Sequence, residues 1–172
     1  MDDTQDTFKA YIIPKGAHYC IQSTVNQLVV NEMQFSVQFD SSAVYATISP
    51  INQYDINKLW GFTEGTDNHL NSARLGWGYN ENKLRLYGYA YADGQRSSVE
   101  ICSIELNTPI DCNIKIAEGL YLFSVNGKTK SLPRSVTGTN TVGYQLYPYF
   151  GGDETAPHDI QILIKTLSPK KL

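Results

Sequence analysis

The sequence predicts an all-β fold, an antiparallel β-sandwich, and three observations carry that reading. Apolar residues recur at every second position in run after run. Turn residues separate those runs at short intervals. No segment longer than a turn or two keeps the 3.6-residue period of an amphipathic helix.

Taken in chain order, Pro14-Lys15-Gly16 breaks a first pair of strands. Phe35-Ser36-Val37-Gln38-Phe39 alternates strictly and stops at Asp40-Ser41-Ser42. Leu84-Arg85-Leu86-Tyr87 runs into Gly88-Tyr89-Ala90-Tyr91 with the same alternation. It recurs in Ile114-Lys115-Ile116, in Tyr121-Leu122-Phe123-Ser124-Val125 and in Ile160-Gln161-Ile162-Leu163-Ile164. Asp93-Gly94 and Asn126-Gly127 are strong hairpin dipeptides, because both central positions of a type I′ turn need positive φ. About ten short strands spaced in this way suit a sandwich or barrel. Residues 59–70 and 130–142 read as the main irregular stretches. Without repeat, linker or low-complexity tract, residues 8–172 read as a single β-sandwich domain. Residues 1–7, polar and acidic, read as a flexible tether of the kind left when a leader is removed and a start Met added.

Composition narrows the partners. Of the 172 residues, 41% are hydrophobic and only 18% charged, against about 25% charged in an average protein. Asn, Thr, Ser, Gln, Gly and twelve tyrosines fill the difference, which suits strands with one buried and one wet face. A net charge of -3 and a pI near 5.5 argue against nucleic acid. The basic cluster Lys165, Lys170 and Lys171 reads as a solvated tail. No run approaches the roughly 20 apolar residues of a transmembrane helix. Three cysteines cannot form a fully paired framework. Cys102 and Cys112 flank a candidate turn at Asn107-Thr108-Pro109, so they are either a cross-hairpin disulfide or two buried thiols.

A turn at Asn80-Glu81-Asn82 gives a register in which facing positions sum to about 162. Trp77 then lies near Arg85, Leu75 near Tyr87 and Ala73 near Tyr89 on a bulky face. Arg74 beside Gly88, with Gly76 and Ser72, makes a shallow strip suited to an extended ligand. The alternative is that Gly76, Gly78 and Gly88 relieve crowding between sheets.

Four stretches carry a resemblance. They are Phe35–Phe39, Asn71-Ser72-Ala73-Arg74-Leu75-Gly76-Trp77, Gly119–Gly127 with its closing Asn-Gly turn, and Tyr147-Pro148-Tyr149-Phe150-Gly151-Gly152 leading into Ala156–Ile160. Together they resemble the concanavalin A-like lectin/glucanase jelly rolls, particularly small surface proteins of Bacteroidetes. The resemblance implies two curved antiparallel sheets, a concave face that binds or cleaves glycans, a last strand that returns to the first, and often a structural calcium. The family's Glu-x-Asp-x-x-Glu triplet is missing, which speaks against that kind of hydrolase.

The candidate ligand-binding residues are Trp60, Glu64, Asp67, His69, Asn71 and Arg74. Sugars stack on aromatic rings and bind polar groups at their edges, and the segment from Trp60 to Asn71 is rich in hydroxyls and amides. Trp60, Trp77, Tyr87, Tyr89, Tyr91, Tyr147 and Tyr149 are the aromatic candidates, with core packing as the rival reading. A lyase would need an acid, a base and a cation, which His69, Asn71, Arg74 and Tyr89 supply by type. Asp153 and Asp159, with Glu154, are candidate calcium ligands in a Gly-rich loop. His158-Asp159 otherwise fixes that loop by hydrogen bonds. Three readings stay open: an extracytoplasmic carbohydrate-binding or glycan-associated module, secreted or at the cell surface; an adhesion protein whose partner is another surface protein; and a polysaccharide lyase or hydrolase.

Overall fold

The computed structural model describes residues 7–167. All but the last residue of the expected 1–7 tether, and Lys170 and Lys171 of the basic tail, lie outside the described residues. Twelve strands form two six-stranded sheets in which every pairing is antiparallel. The first sheet is built of β1 (Lys9–Ile13), β12 (Ile160–Thr166), β3 (Glu32–Phe39), β8 (Ile110–Ala117), β9 (Leu120–Val125) and β10 (Lys128–Pro133), in that spatial order. The second runs β2 (Gln27–Val30), β11 (Thr141–Leu146), β4 (Asn57–Thr63), β5 (Ser72–Asn80), β6 (Lys83–Ala92) and β7 (Gln95–Ile104). The final strand pairs with the first, Ile13 opposite Ile160, as the resemblance implies.

Alternation decides which face of each strand is buried. Phe35, Val37 and Phe39 of β3, Ile160, Ile162 and Ile164 of β12, and Tyr121, Phe123 and Val125 of β9 point inward from the first sheet. Leu75 and Trp77 of β5 and Leu84, Leu86 and Ala90 of β6 meet them from the second. Each such side chain contributes about 1.5–3 kcal/mol when fully buried. Gly88 lets the sheets approach closely, since a Cβ there would stand 2.9 Å from the Phe123 ring.

The expected hairpins at Asp93-Gly94 and Asn126-Gly127 are present, with positive φ at all four residues. The third differs from expectation. Its turn is Glu81-Asn82 alone (φ 50° and 60°), so Asn80 pairs with Lys83. That moves the register by one residue and exchanges the faces of β6. Trp77 opposes Leu86, and Arg74 opposes Tyr89 instead of Gly88. The face carrying Arg74 is therefore aromatic, with Tyr87, Tyr89 and Tyr91 along it.

Two further expectations change. The chain between Cys102 and Cys112 crosses from β7 in one sheet to β8 in the other, so these residues do not face each other across a hairpin, and all three cysteines are free thiols. The 59–70 stretch is irregular only from Glu64 onward, because β4 continues through Trp60, Gly61 and Phe62.

Candidate functional site

The outer face of the second sheet holds a cleft of about 430 Å³, within the range of roughly 300–1,000 Å³ usual for small-ligand sites. Arg74 on β5 and Tyr89 on β6 face each other in its floor. Lys58 on β4 joins them because of a bulge between Lys58 and Trp60. Strict alternation would put Lys58 on the same side as Trp60 and Phe62. The extra residue sends Leu59 and Trp60 both inward and leaves Lys58 on the outer face. The 147–152 segment makes the far wall. Backbone bridges tie Tyr149 to Lys58 and to Tyr19, and the Tyr149 ring stacks on His18 at 5.3 Å.

Arg74 is the unusual member. It is only 6% exposed, its Nε has no partner among the described residues, and it forms no ion pair there. Its stem lies across Gly61, where a Cβ would stand 2.6 Å from the Arg74 Cα and 2.8 Å from its Cγ. The Tyr89 ring receives two cations, the Arg74 guanidinium carbon at 5.5 Å and Lys58 Nζ at 4.5 Å from its centroid. Lys58 Nζ also donates to the Ile56 carbonyl at 2.7 Å.

These contacts move the titrations. Burial lowers the affinity of both Arg74 and Lys58 for their protons, the Tyr89 phenol partly opposing it. Burial alone would raise Tyr89. The Lys58 charge, hydrogen bonds with Tyr91 and Arg96, and the Arg74 charge outweigh it and hold the phenol below the ordinary tyrosine range. Tyr149, in the same cleft, is pushed the other way by burial and by Tyr19. No Asp or Glu lines the cleft. A smaller cleft of about 200 Å³ continues it past Lys58 and Tyr89 and adds Arg96 and one acid, Asp55. The arrangement is a cationic, tyrosine-lined groove able to hold an anion against a buried guanidinium.

Of the six candidate ligand-binding residues, Arg74 and His69 meet in this cleft, together with Tyr89, Tyr147 and Tyr149 from the aromatic candidates. His69 is exposed and packs edge-on against Tyr91 at 5.3 Å. Asp67 organises the loop beneath, accepting from the His69 N–H at 2.8 Å through its side chain and from the Leu70 and Asn71 N–H groups at 3.2 Å through its carbonyl. Asn71 is buried and accepts from the Asp93 N–H at 3.0 Å, bracing the β6–β7 turn.

Two residues lie elsewhere. Trp60 is 3% exposed and packs in the core instead of forming a rim. Glu64 is buried, not solvated as a loop acid would be. Arg134 donates to it from Nη2 at 2.8 Å and from Nε at 3.0 Å, and the Tyr121 hydroxyl donates to it as well. Of the proposed calcium ligands, Asp159 and Glu154 are each engaged by other partners. Asp159 accepts from the Lys15 N–H at 2.8 Å. Glu154 accepts from the Ile48 and Ser49 N–H groups and from Asn52, and so ties down the start of the 3-10 turn Pro50–Tyr54. Among the described residues no three His, Cys, Asp or Glu side chains form a metal-binding group. His158 does fix the last loop, donating from Nε2 to the Ser42 carbonyl at 2.7 Å. Lys58 and Gln145 of the cleft escaped sequence reading. The adjacent apolar pair Leu59-Trp60, which breaks alternation, was the available sign of the bulge that turns Lys58 outward.

No family model matches the chain, and no curated protein matches it in sequence. Solved structures do match. A family 7 alginate lyase in complex with product aligns over 91% of this chain and 76% of its own, with TM-score 0.57 and 11% identity. Alginate lyase AlyC3 aligns over 95% and 71%, with TM-score 0.58 and 11% identity. The laminarinase catalytic domain of Thermotoga maritima aligns over 95% and 79%, with TM-score 0.54 and 11% identity. The fold is a concanavalin A-like jelly roll. In this jelly roll the cationic cleft crosses β4, β5 and β6, in the middle of the second sheet, where strands on both sides hold its side chains in place.

Proposed function

We propose that this jelly roll is an extracytoplasmic module that binds an acidic polysaccharide, with a sugar carboxylate seated on Arg74. One observation carries the reading: a buried guanidinium with no anionic partner among the described residues opens into a cleft that has no acid in its lining. A buried charge left alone costs several kcal/mol, and a bound carboxylate offsets that with charge-assisted hydrogen bonds. Tyr19, exposed, and Tyr149, half-buried, offer ring and hydroxyl surface to the sugar, while the buried Tyr89 ring backs Arg74 and Lys58. Polymers of this kind are met outside the cytoplasm, which agrees with the polar, tyrosine-rich composition. Calorimetry with a uronate oligosaccharide and its carboxyl-reduced form tests it. The acid form should bind more tightly, and Arg74→Met should abolish the difference. Equal binding of the two forms would overturn the proposal.

A second reading, eliminative cleavage in the same groove, is favoured by the opposite displacements of the Tyr89 and Tyr149 phenols. In this reading Tyr89 is the base that takes the proton α to the carboxylate held by Arg74. The electron pair forms a carbon–carbon double bond as the β carbon–oxygen glycosidic bond breaks, and the Tyr149 phenol protonates the departing oxygen. Release of an ultraviolet-absorbing unsaturated uronate, lost in Tyr89→Phe, is the expected signal. Binding without any such product leaves the chain as a binding module.

A further inference from the structure

A second cleft, as large as the first at about 420 Å³, opens at the side of the sandwich. It lies between the edge strands β1 and β2, where the two sheets part. Tyr11 and Trp60 lie deep in it, and Tyr147 lines the wall that separates it from the cationic groove. The rings of Tyr11 and Tyr147 meet Trp60 edge-on, with centroids at 5.1 and 5.3 Å. Leu28 and Met33 supply apolar sides, and Asn26 and Gln34 supply amides at the exposed mouth. Lys9 and Glu32 sit at the rim and balance in charge.

The indole of Trp60 makes this more than a packing gap. Its Nε1–H is buried and has no acceptor among the described residues. The other tryptophan, Trp77, donates to the Lys58 carbonyl at 3.2 Å. A buried donor left unpaired costs about as much as a lost hydrogen bond, and such groups are few in folded chains. Met33 is unbranched and only partly buried, so it is the side of the cleft best able to move aside for a ligand.

We propose that this cleft is a separate site for a neutral pyranose. The apolar face of the sugar would lie on Tyr147, Leu28 and Met33, a ring or hydroxyl oxygen would accept from Trp60 Nε1, and the Asn26 and Gln34 amides would take the outer hydroxyls. A neutral ligand follows from the balanced rim, in contrast to the uncompensated cations of the groove. The inference stands independently of the acidic-glycan reading, because the two sites share only the Gln145 and Tyr147 wall.

Titration of the full chain with cellotetraose and with its mannose counterpart, followed by indole emission and calorimetry, tests it. The expected result is saturable binding of at least one tetramer, retained in Arg74→Met and weakened by about tenfold or more in Trp60→Phe. Met33→Trp, which fills the cleft from its adjustable side, should weaken binding as much and covers the case of Trp60→Phe failing to fold. No saturable binding of either tetramer would overturn the site and leave the cleft a water-filled gap. Binding lost in Arg74→Met would overturn it too, by placing neutral sugars in the groove. Binding untouched by both cleft substitutions would do the same.

Discussion

Replacing Arg74 by methionine separates a ligand-binding arginine from a structural one. In the folded chain the guanidinium donates no hydrogen bond to any described residue, so no such bond is lost. What disappears is its attraction to the Tyr89 ring at 5.5 Å, about 0.5–2 kcal/mol. What is relieved is the burial of an unpaired cation, which costs several kcal/mol. Methionine keeps the stem over Gly61. The net change in stability is therefore within about 1 kcal/mol or a gain, which for a chain of this size keeps Tm within about 4 °C of the parent or above it. Binding behaves oppositely. A carboxylate loses two charge-assisted hydrogen bonds at about 1.5–3 kcal/mol each, so a loss of about 3 kcal/mol, roughly 150-fold in Kd, is a conservative expectation. Calorimetry with a uronate oligosaccharide and a thermal melt of the same sample measure both. A Tm drop beyond about 10 °C would mean that Arg74 holds the fold together. An unchanged Kd in a folded variant would mean that the groove does not use it.

Arg134→Met makes the contrasting case, because both Arg134 and its partner Glu64 are almost fully buried. Breaking the pair should cost about 3–5 kcal/mol in urea unfolding, and adding Glu64→Gln should recover part of it; a loss below about 1 kcal/mol would show the pair to be idle. Gly61→Ala should destabilise by about 1–3 kcal/mol and weaken acidic-glycan binding as well, since the new Cβ overlaps the Ala73 carbonyl and pushes on Arg74; normal binding would refute the seating role of Gly61. Tyr89 ionises in the folded chain below the ordinary tyrosine pKa of about 10. Its contribution to stability is thus present above that ordinary value and lost as pH falls through the folded one. The stability gap between the parent and Tyr89→Phe should widen from neutral to mildly alkaline pH, and a flat gap would contradict the depressed phenol. Tyr11, pushed up to about 12 chiefly by burial, acts in the opposite sense: stability falls as pH rises from about 10 toward that value, and Tyr11→Phe should remove that fall.

The strand pattern was legible because alternation is local. Ile160, Ile162 and Ile164 read as one buried face before any partner strand was known, and Asp93-Gly94 and Asn126-Gly127 named their own turns. Arg74 and His69 were legible as site candidates from residue type and position near a loop. Tyr89 was legible by residue type but read onto the face opposite Arg74, and Lys58 was not read at all. Lys58 reaches the cleft only because a bulge adds one residue to β4. Tyr89 reaches it because the Glu81-Asn82 turn is one residue shorter than the three-residue turn that the sequence suggested. Each is a one-residue event, and in a strand one residue exchanges inside for outside.

By itself, then, the sequence determined the sandwich, the Asp93-Gly94 and Asn126-Gly127 hairpins and the burial of most of its apolar faces, since these follow from neighbours one or two positions apart. Only the tertiary structure decided that Glu64 belongs to Arg134 across 70 positions, that Trp60 leaves the groove for a cleft of its own, and that Arg74 meets no acid among the described residues. Charge pairing depends on which strands become neighbours, and no local pattern in the chain encodes the partner a buried cation lacks.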